Sequence, residues 1–282
     1  MKENARYIGR LEGESVTDAL GRLRAAGFKV PTSKMIKTEE QIRGCREAGR
    51  INSLILDAVE REIRVGMSTH EIDEIVMRTT RELGGRPACL GFEGFPRAVC
   101  TSVNDVICHG IPSERCILRE GDIVNVDCTT EYGGYFGDAS RMFTMGKVSA
   151  AAERLVRVTR EAVELAVKAI KPWQSTLGDI GYVINSHARR AGFTVVREIG
   201  GHGVGLRMHE DPYVCHVGLP GRGMLLVPGM IFTVEPMINE KKARFYIDEQ
   251  DGWTVYTADG GLSAQVEYEL LVTNDGVEIL SR

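Results

Sequence analysis

Four acids and one histidine carry the most chemistry in this sequence: Asp127, Asp138, Glu235, Glu267 and His202. The two aspartates flank Gly133-Gly134 in the stretch DIVNVDCTTEYGGYFGDASR (122–141), whose alternating apolar and polar residues and central turn predict a β-hairpin. A loop at Tyr132-Gly133 sets Asp127 directly opposite Asp138. A loop at Gly133-Gly134 sets Asp127 opposite Ser140 and leaves Asp138 on the diagonal of the same face. Both registers bring the carboxylates together, and like charges facing each other across a ladder call for a cation. Ile123, Val124, Val126 and Phe136 mark the hairpin as buried, where an unpaired carboxylate is costly.

Further along, Glu235 ends the apolar run FTVEP and Glu267 interrupts the run QVEYELL, so each acid falls in a segment that should be buried. Glu269 shares the parity of Glu267 and is a weaker rival. His202 sits in GGHGVG, where flanking glycines leave a metal free to approach; no strand, helix and ribose acid follow in the order of a dinucleotide fingerprint. Four carboxylates and one imidazole are too anionic for one divalent ion and suit two, with bridging carboxylates holding the ions ~3.5–4 Å apart. The predicted chemistry is hydrolysis at a dinuclear centre. Oxygen-rich ligation with one nitrogen fits Co, Mn, Fe or Zn.

The elements that must position these groups are legible in outline. Ser15-Val-Thr-Asp18 starts a short helix with Ala19, Leu20, Leu23 and Ala26 on one face, closed by Gly27, and Pro31-Thr-Ser reads as a linker. Residues 1–35 are therefore expected to form an N-terminal extension, and 36–282 the catalytic domain. Capping boxes at Thr38-Glu-Glu-Gln41 and Ser68-Thr-His-Glu71 open two helices, the first with an apolar stripe through Ile42, Cys45, Ala48, Ile51, Leu54, Ile55, Ala58 and Val59. Strands are expected at 98–103 and 106–109, then the hairpin, then helices over 150–170 and from Thr176 to 191. Further strands are expected near 193–198, 204–208, 230–238 and 265–273. Two rounds of helix, helix and antiparallel strands predict an internally duplicated α+β domain with helices packed on a curved sheet.

With 282 residues and 43% hydrophobic content the chain can bury a full core. A net charge of -4 gives no basic footprint, so no specific nucleic-acid partner is expected. Seven scattered cysteines without a CxxC pair suit a reducing compartment. No apolar run approaches the ~18 residues of a spanning helix, and no secretory signal is evident. A cytoplasmic protein is expected.

The motifs Cys108-His109-Gly-Ile-Pro112, Val126-Asp127 to Gly137-Asp138, Gly201-His202-Gly203-Val-Gly205 to His209-Glu210, Thr233-Val-Glu235-Pro236 and Ser263-Ala-Gln265-Val-Glu267 occur in one order. From about Met35 onward the sequence resembles the type I methionine aminopeptidases, of the pita-bread fold. The resemblance implies removal of the initiator methionine from nascent polypeptides whose second residue is small. It implies Asp127 on one metal, Asp138 and Glu267 bridging, His202 and Glu235 completing the other site, and Glu235 as proton shuttle. It also implies substrate contacts at His109 and His209 and a methionine pocket of Phe92, Phe95, Cys100 and Trp253, with Cys89 nearby. His187 and His216 are expected to be structural. Met208, where the family often carries an aromatic residue, and Tyr268, where a histidine is usual, depart from the pattern. A monomer is expected, with the ribosome as a partner of the extension. Proline-specific peptidases share the fold but carry a large N-terminal domain. Type II methionine aminopeptidases carry a helical insertion that finds no room between His209 and Glu235. Metal-free pita-bread binding modules typically lose the metal-site residues that are present here.

Overall fold

The structure, a computed structural model, describes residues 9–282; the part of the expected extension at 1–8 lies outside the described residues. In the first half, α1 (Val16–Ala25), α2 (Glu39–Glu62) and α3 (Thr69–Glu82) precede five strands. These are β1 (Arg86–Pro87), β2 (Cys100–Val103), β3 (Val106–Cys108), β4 (Ile123–Tyr132) and β5 (Tyr135–Thr144). Then come α4 (Ala150–Ala169), α5 (Leu177–Arg190), β6 (Thr194–Val195), β7 (Gly201–Gly203), β8 (Glu210–Val214), β9 (Ile231–Val234) and β10 (Met237–Asn239). The chain closes with β11 (Phe245–Ile247), β12 (Val255–Thr257), β13 (Ser263–Gln265), β14 (Tyr268–Val272) and β15 (Val277–Ser281).

The helix starts follow from side-chain capping. Thr38 and Gln41 on α2, and Ser68 and Glu71 on α3, exchange reciprocal bonds that satisfy otherwise orphaned backbone N–H groups. The α2 stripe buries its expected residues except Leu54, which is half-buried; Leu56 is fully buried instead. One apolar cluster joins α2 and α3 to β4 and β5, and a second joins α4 and α5 to β9, β10 and β14. Ala19, Leu20 and Leu23 of α1 are buried in the second, and the N–H of Leu225 donates to the Lys29 carbonyl (2.8 Å), so α1 and the segment after it pack on the second half.

The β4–β5 hairpin turns at Gly133-Gly134, which takes the register that sets Asp127 opposite Ser140. β1 and β2 share the other edge of β4. A five-stranded antiparallel sheet has the order β15-β14-β9-β7-β8, and β13-β10-β6 forms a separate ribbon. Two expectations fail instructively. Residues 204–208 form a bent loop instead of a strand, and the expected strands at 230–238 and 265–273 are each broken. The first breaks at Glu235-Pro236 and the second at Val266-Glu267, where the chain passes between the ribbon and the five-stranded sheet.

Candidate metal centre and substrate pocket

Every residue singled out above as ligand, substrate-contacting histidine or pocket wall lines one cavity of about 430 Å³. On the hairpin, Asp138 pairs with Thr129 across the ladder, and the Thr129 hydroxyl donates to Asp138 Oδ1 (2.8 Å). Asp127 lies two residues from Thr129 and so on its face of β4. His202 is the central residue of β7. Its glycine neighbours serve backbone packing more than metal access, because a Cβ on Gly201 would strike the Thr233 carbonyl and one on Gly203 the Asp211 carbonyl.

The His202 N–H donates to Thr233 Oγ1 (3.0 Å), and its ring Nδ1 donates to the Gly203 carbonyl (3.0 Å). That bond leaves Nε2 as the free ring nitrogen, 3.4 Å from Glu235 Oε1 and 3.7 Å from Asp138 Oδ2. Thr233 then donates to Glu235 Oε1 (2.7 Å), while Gln265 Nε2 donates to Glu235 Oε2 (3.2 Å). Behind it, the Glu235 N–H donates to Nε2 of fully buried His216 (3.1 Å), and His187 pairs with Glu161 (3.0 Å). Glu267 is fixed through its backbone, which exchanges bonds with Ser140 across the two halves (3.2 and 3.3 Å).

Ligand atoms of Asp138, His202 and Glu267 lie within 4.8 Å of one another. Glu269, the rival, is fully buried but accepts from the Asp138 N–H (3.0 Å), so it braces the hairpin from outside the cavity. Thr129, Thr233 and Gln265 were not anticipated. Each stands two residues from a candidate ligand, on the same strand face or across its break, and that parity is the signal the sequence offers.

Burial, and then repulsion from Asp138, pushes the Asp127 carboxyl up to about 8. Burial pushes Asp138 up to about 7, against the Thr129 hydrogen bond. Glu235 and Glu267 are raised well above the carboxylate range, first by burial and then by the neighbouring acids. No Lys or Arg among the described residues forms an ion pair with these four. A buried anionic cluster with no protein cation around it has the chemistry of a divalent-metal site.

The apolar end of the cavity is walled by Phe95 against Trp253, edge to face at 5.2 Å and 78°, with Cys89, Cys100 and Met208 packed beside them. Cys89, expected only near the pocket, lines it directly. His109 has left-handed backbone, φ 56°, a conformation that costs a non-glycine residue about 1–3 kcal/mol and often marks a functional position. His209 is exposed at the rim, its ring edge-on to His202 (4.3 Å) and Phe92 (5.1 Å). Burial pushes His109 down to about 4; His209, open to solvent on its outer side, is lowered to about 4 by desolvation of the face packed on His202 and Phe92 and then by repulsion from His202, so both imidazoles are neutral at pH 7. Tyr268 lines a different cleft, of about 680 Å³, with Asp57, Arg141, Arg160 and Arg282. Its departure from the family pattern does not reach the carboxylates.

The model of metallopeptidase family M24 matches residues 43–274. Methionine aminopeptidase A of Synechocystis sp. is 45% identical over 244 residues, covering 86% of this chain and 96% of that protein. The chain belongs to the methionine aminopeptidases of metallopeptidase family M24. The methionine aminopeptidase of Escherichia coli is 44% identical over 247 residues, covering 87% of this chain and 93% of that one. The crystal structure of methionine aminopeptidase from Rickettsia prowazekii superposes with a TM-score of 0.85 at 39% identity, covering 88% of this chain and 99% of that one. Prolidase from Pyrococcus furiosus matches at 0.68 and 23% identity over 88% of this chain and 65% of its own, a likeness of fold alone. This metallopeptidase thus has the pita-bread architecture expected from its sequence. No helix among its described residues is long and apolar enough to cross a membrane.

Proposed function

We propose that this enzyme removes the N-terminal methionine from nascent proteins and peptides whose second residue is small. The observation that carries the reading is the meeting, in one cavity, of a buried acid cluster with an apolar dead end of Phe95, Trp253, Cys100 and Met208. That end suits an unbranched thioether, and Met208 makes its wall more deformable than an aromatic ring would. Asp127, Asp138, His202, Glu235 and Glu267 would hold two divalent ions. When bound, such a pair supplies a water nucleophile of lowered pKa and polarises the scissile carbonyl.

The remaining steps fall to the chain's own groups. Glu235, kept in place by the Thr233 hydroxyl and the Gln265 amide, takes a proton from the attacking water and passes it to the departing amine. His209, neutral, donates to the carbonyl oxygen as negative charge develops there. His109, also neutral, faces the amide nitrogen beyond the scissile bond. A cytoplasmic monomer acting on chains as they leave the ribosome belongs to the same proposal.

The test is a panel of Met-Ala, Met-Gly, Met-Lys, N-formyl-Met and X-Pro peptides with Mn, Co, Fe or Zn titrated in. Release of Met from the first two alone is the expected result. Comparable turnover of X-Pro peptides would replace this reading with a prolidase-like one.

A further inference from the structure

Among the described residues the His209 ring makes no hydrogen bond, although the proposed reaction needs it aimed to within a fraction of an ångström. Its placement must therefore come from the loop that carries it. Gly205 opens that loop: its N–H donates to the Arg207 carbonyl (3.2 Å), and its own carbonyl accepts from the Phe136 N–H (2.9 Å). Glu210 closes it, its Oε1 accepting from the N–H groups of Leu206 (2.6 Å) and Arg207 (2.9 Å).

The other oxygen of that carboxylate, Oε2, is paired with the ammonium of Lys37, whose side chain is 1% exposed. Lys37 is itself anchored. Its N–H donates to the Gly229 carbonyl (2.8 Å), Ile36 bridges to Met230, and Thr38 caps α2 immediately after it. A Cβ on Gly205 would lie 3.5 Å from the Lys37 Cε and 2.6 Å from the Cys45 sulfur, so the lysine stem runs directly beneath the loop's entry.

We propose that the buried Lys37–Glu210 pair is a positioning device for the catalytic loop, joining the start of α2 to residues 206–210 and thereby fixing His209 over the reacting carbonyl. The inference rests on the reading of His209 given above. Stability is a poor reason for the pair. Burying two charges costs desolvation that their attraction barely repays, and apolar residues of similar volume often do as well. Geometry is the better reason: one carboxylate ties a lysine fixed on the main scaffold to two backbone donors within four residues of the histidine.

The test uses the full-length, metal-loaded enzyme and a Met-Ala-Ser peptide, at a temperature well below every variant's Tm. Lys37→Met leaves Glu210 without its cation, and kcat is expected to fall about 10²-fold, the scale of a ~1 Å misplacement. KM should change far less than kcat, because Phe95, Cys100 and Trp253 of the methionine pocket lie outside the loop and only Met208 belongs to it, and Mn affinity by calorimetry should be unchanged. Glu210→Gln should do likewise. The double variant, which has no unpaired charge but also no tie between α2 and the loop, should stay about as low in kcat as the single variants; recovery to wild type would overturn the proposal, since it would mean that only the unpaired charge was harmful. Wild-type kcat in both single variants would overturn the proposal, as would variants that lose only Tm. Loss of metal affinity in step with kcat would also overturn it. An inactive wild-type enzyme would instead sink the functional reading.

Discussion

The two halves of the enzyme present their acids in different ways. Asp127 and Asp138 ride on two unbroken ten-residue strands, where a continuous ladder sets each position. Glu235 and Glu267 stand where a strand stops and its continuation joins another sheet, so the ladder cannot hold them. At Glu235 side chains do that work, with Thr233 and Gln265 each donating to one carboxylate oxygen. Glu267 relies on its backbone bridge to Ser140 of the hairpin. An unbroken hairpin thus gives local precision, while a broken strand lets distant segments converge and depends on hydrogen bonds one layer out.

Removing a proposed ligand from either half should have the largest effect. Asp138→Asn and His202→Ala are expected to drop turnover of Met-Ala-Ser below a hundredth of wild type, beyond the ~10–100-fold cost of losing a group that merely orients a ligand. Far-ultraviolet circular dichroism should show the fold intact. Substantial turnover in either variant would exclude that residue as a ligand.

The difference between the halves extends to the residues that hold the acids. Thr129→Val removes a single donor to Asp138, whose position the ladder still maintains. Thr233→Val removes the donor to Glu235 and also the acceptor of the His202 N–H. Both should fall within the roughly 10–100-fold range, Thr233→Val near the top and Thr129→Val near the bottom, in Mn affinity as in kcat/KM. Equal losses would mean that the ladder contributes nothing to ligand placement.

Removing the metal should expose the acids from both halves at once. In the folded chain burial raises the Asp127 carboxyl to about 8 and that of Asp138 to about 7, far above the ordinary aspartate value of about 3.9. The folded apoprotein therefore binds more protons than the unfolded chain, and its stability falls as pH rises from about 4 to 8. His109 and His209, lowered to about 4, act in the opposite direction only between about 4 and 6.5. From pH 6.5 to 8 the acids act alone, so Tm in EDTA should fall steadily over that window. With Mn present the slope should flatten or reverse, because the metal binds the deprotonated acids. A pH-independent Tm in EDTA would show that the acids are already screened by another cation.

The same contrast explains what could be read before the fold was seen. The hairpin and the capping boxes are local: Asp127 to Asp138 and Thr38 to Gln41 are short-range relations that alternation and spacing encode. The breaks in FTVEPMIN and AQVEYELL are only half local: Glu235-Pro236 marks a place where a ladder can stop, but nothing in either run says which sheet its continuation joins. β8 opens with Glu-Asp-Pro, which argues against a strand in the sequence, and β11 and β15 are mostly half-exposed or exposed and show weak alternation. The Lys37–Glu210 pair spans 173 residues and had no sequence signal at all.

The extension offers the gentlest probe of the two halves. Leu23 is 2% exposed in the apolar cluster that also holds Phe232 and Val234, the residues leading to Glu235, whereas the hairpin's inner face belongs mainly to the other cluster. Leu23→Ala should cost roughly 2–5 kcal/mol by leaving a cavity. Deleting residues 1–34 should lower Tm further while sparing Lys37. Because Glu235 is held by side-chain hydrogen bonds as well as by that cluster, kcat/KM below the lowered Tm should change by less than about twofold. If turnover instead vanished in a truncated protein that remained folded, α1 would have to be counted among the elements that shape the second half of the site.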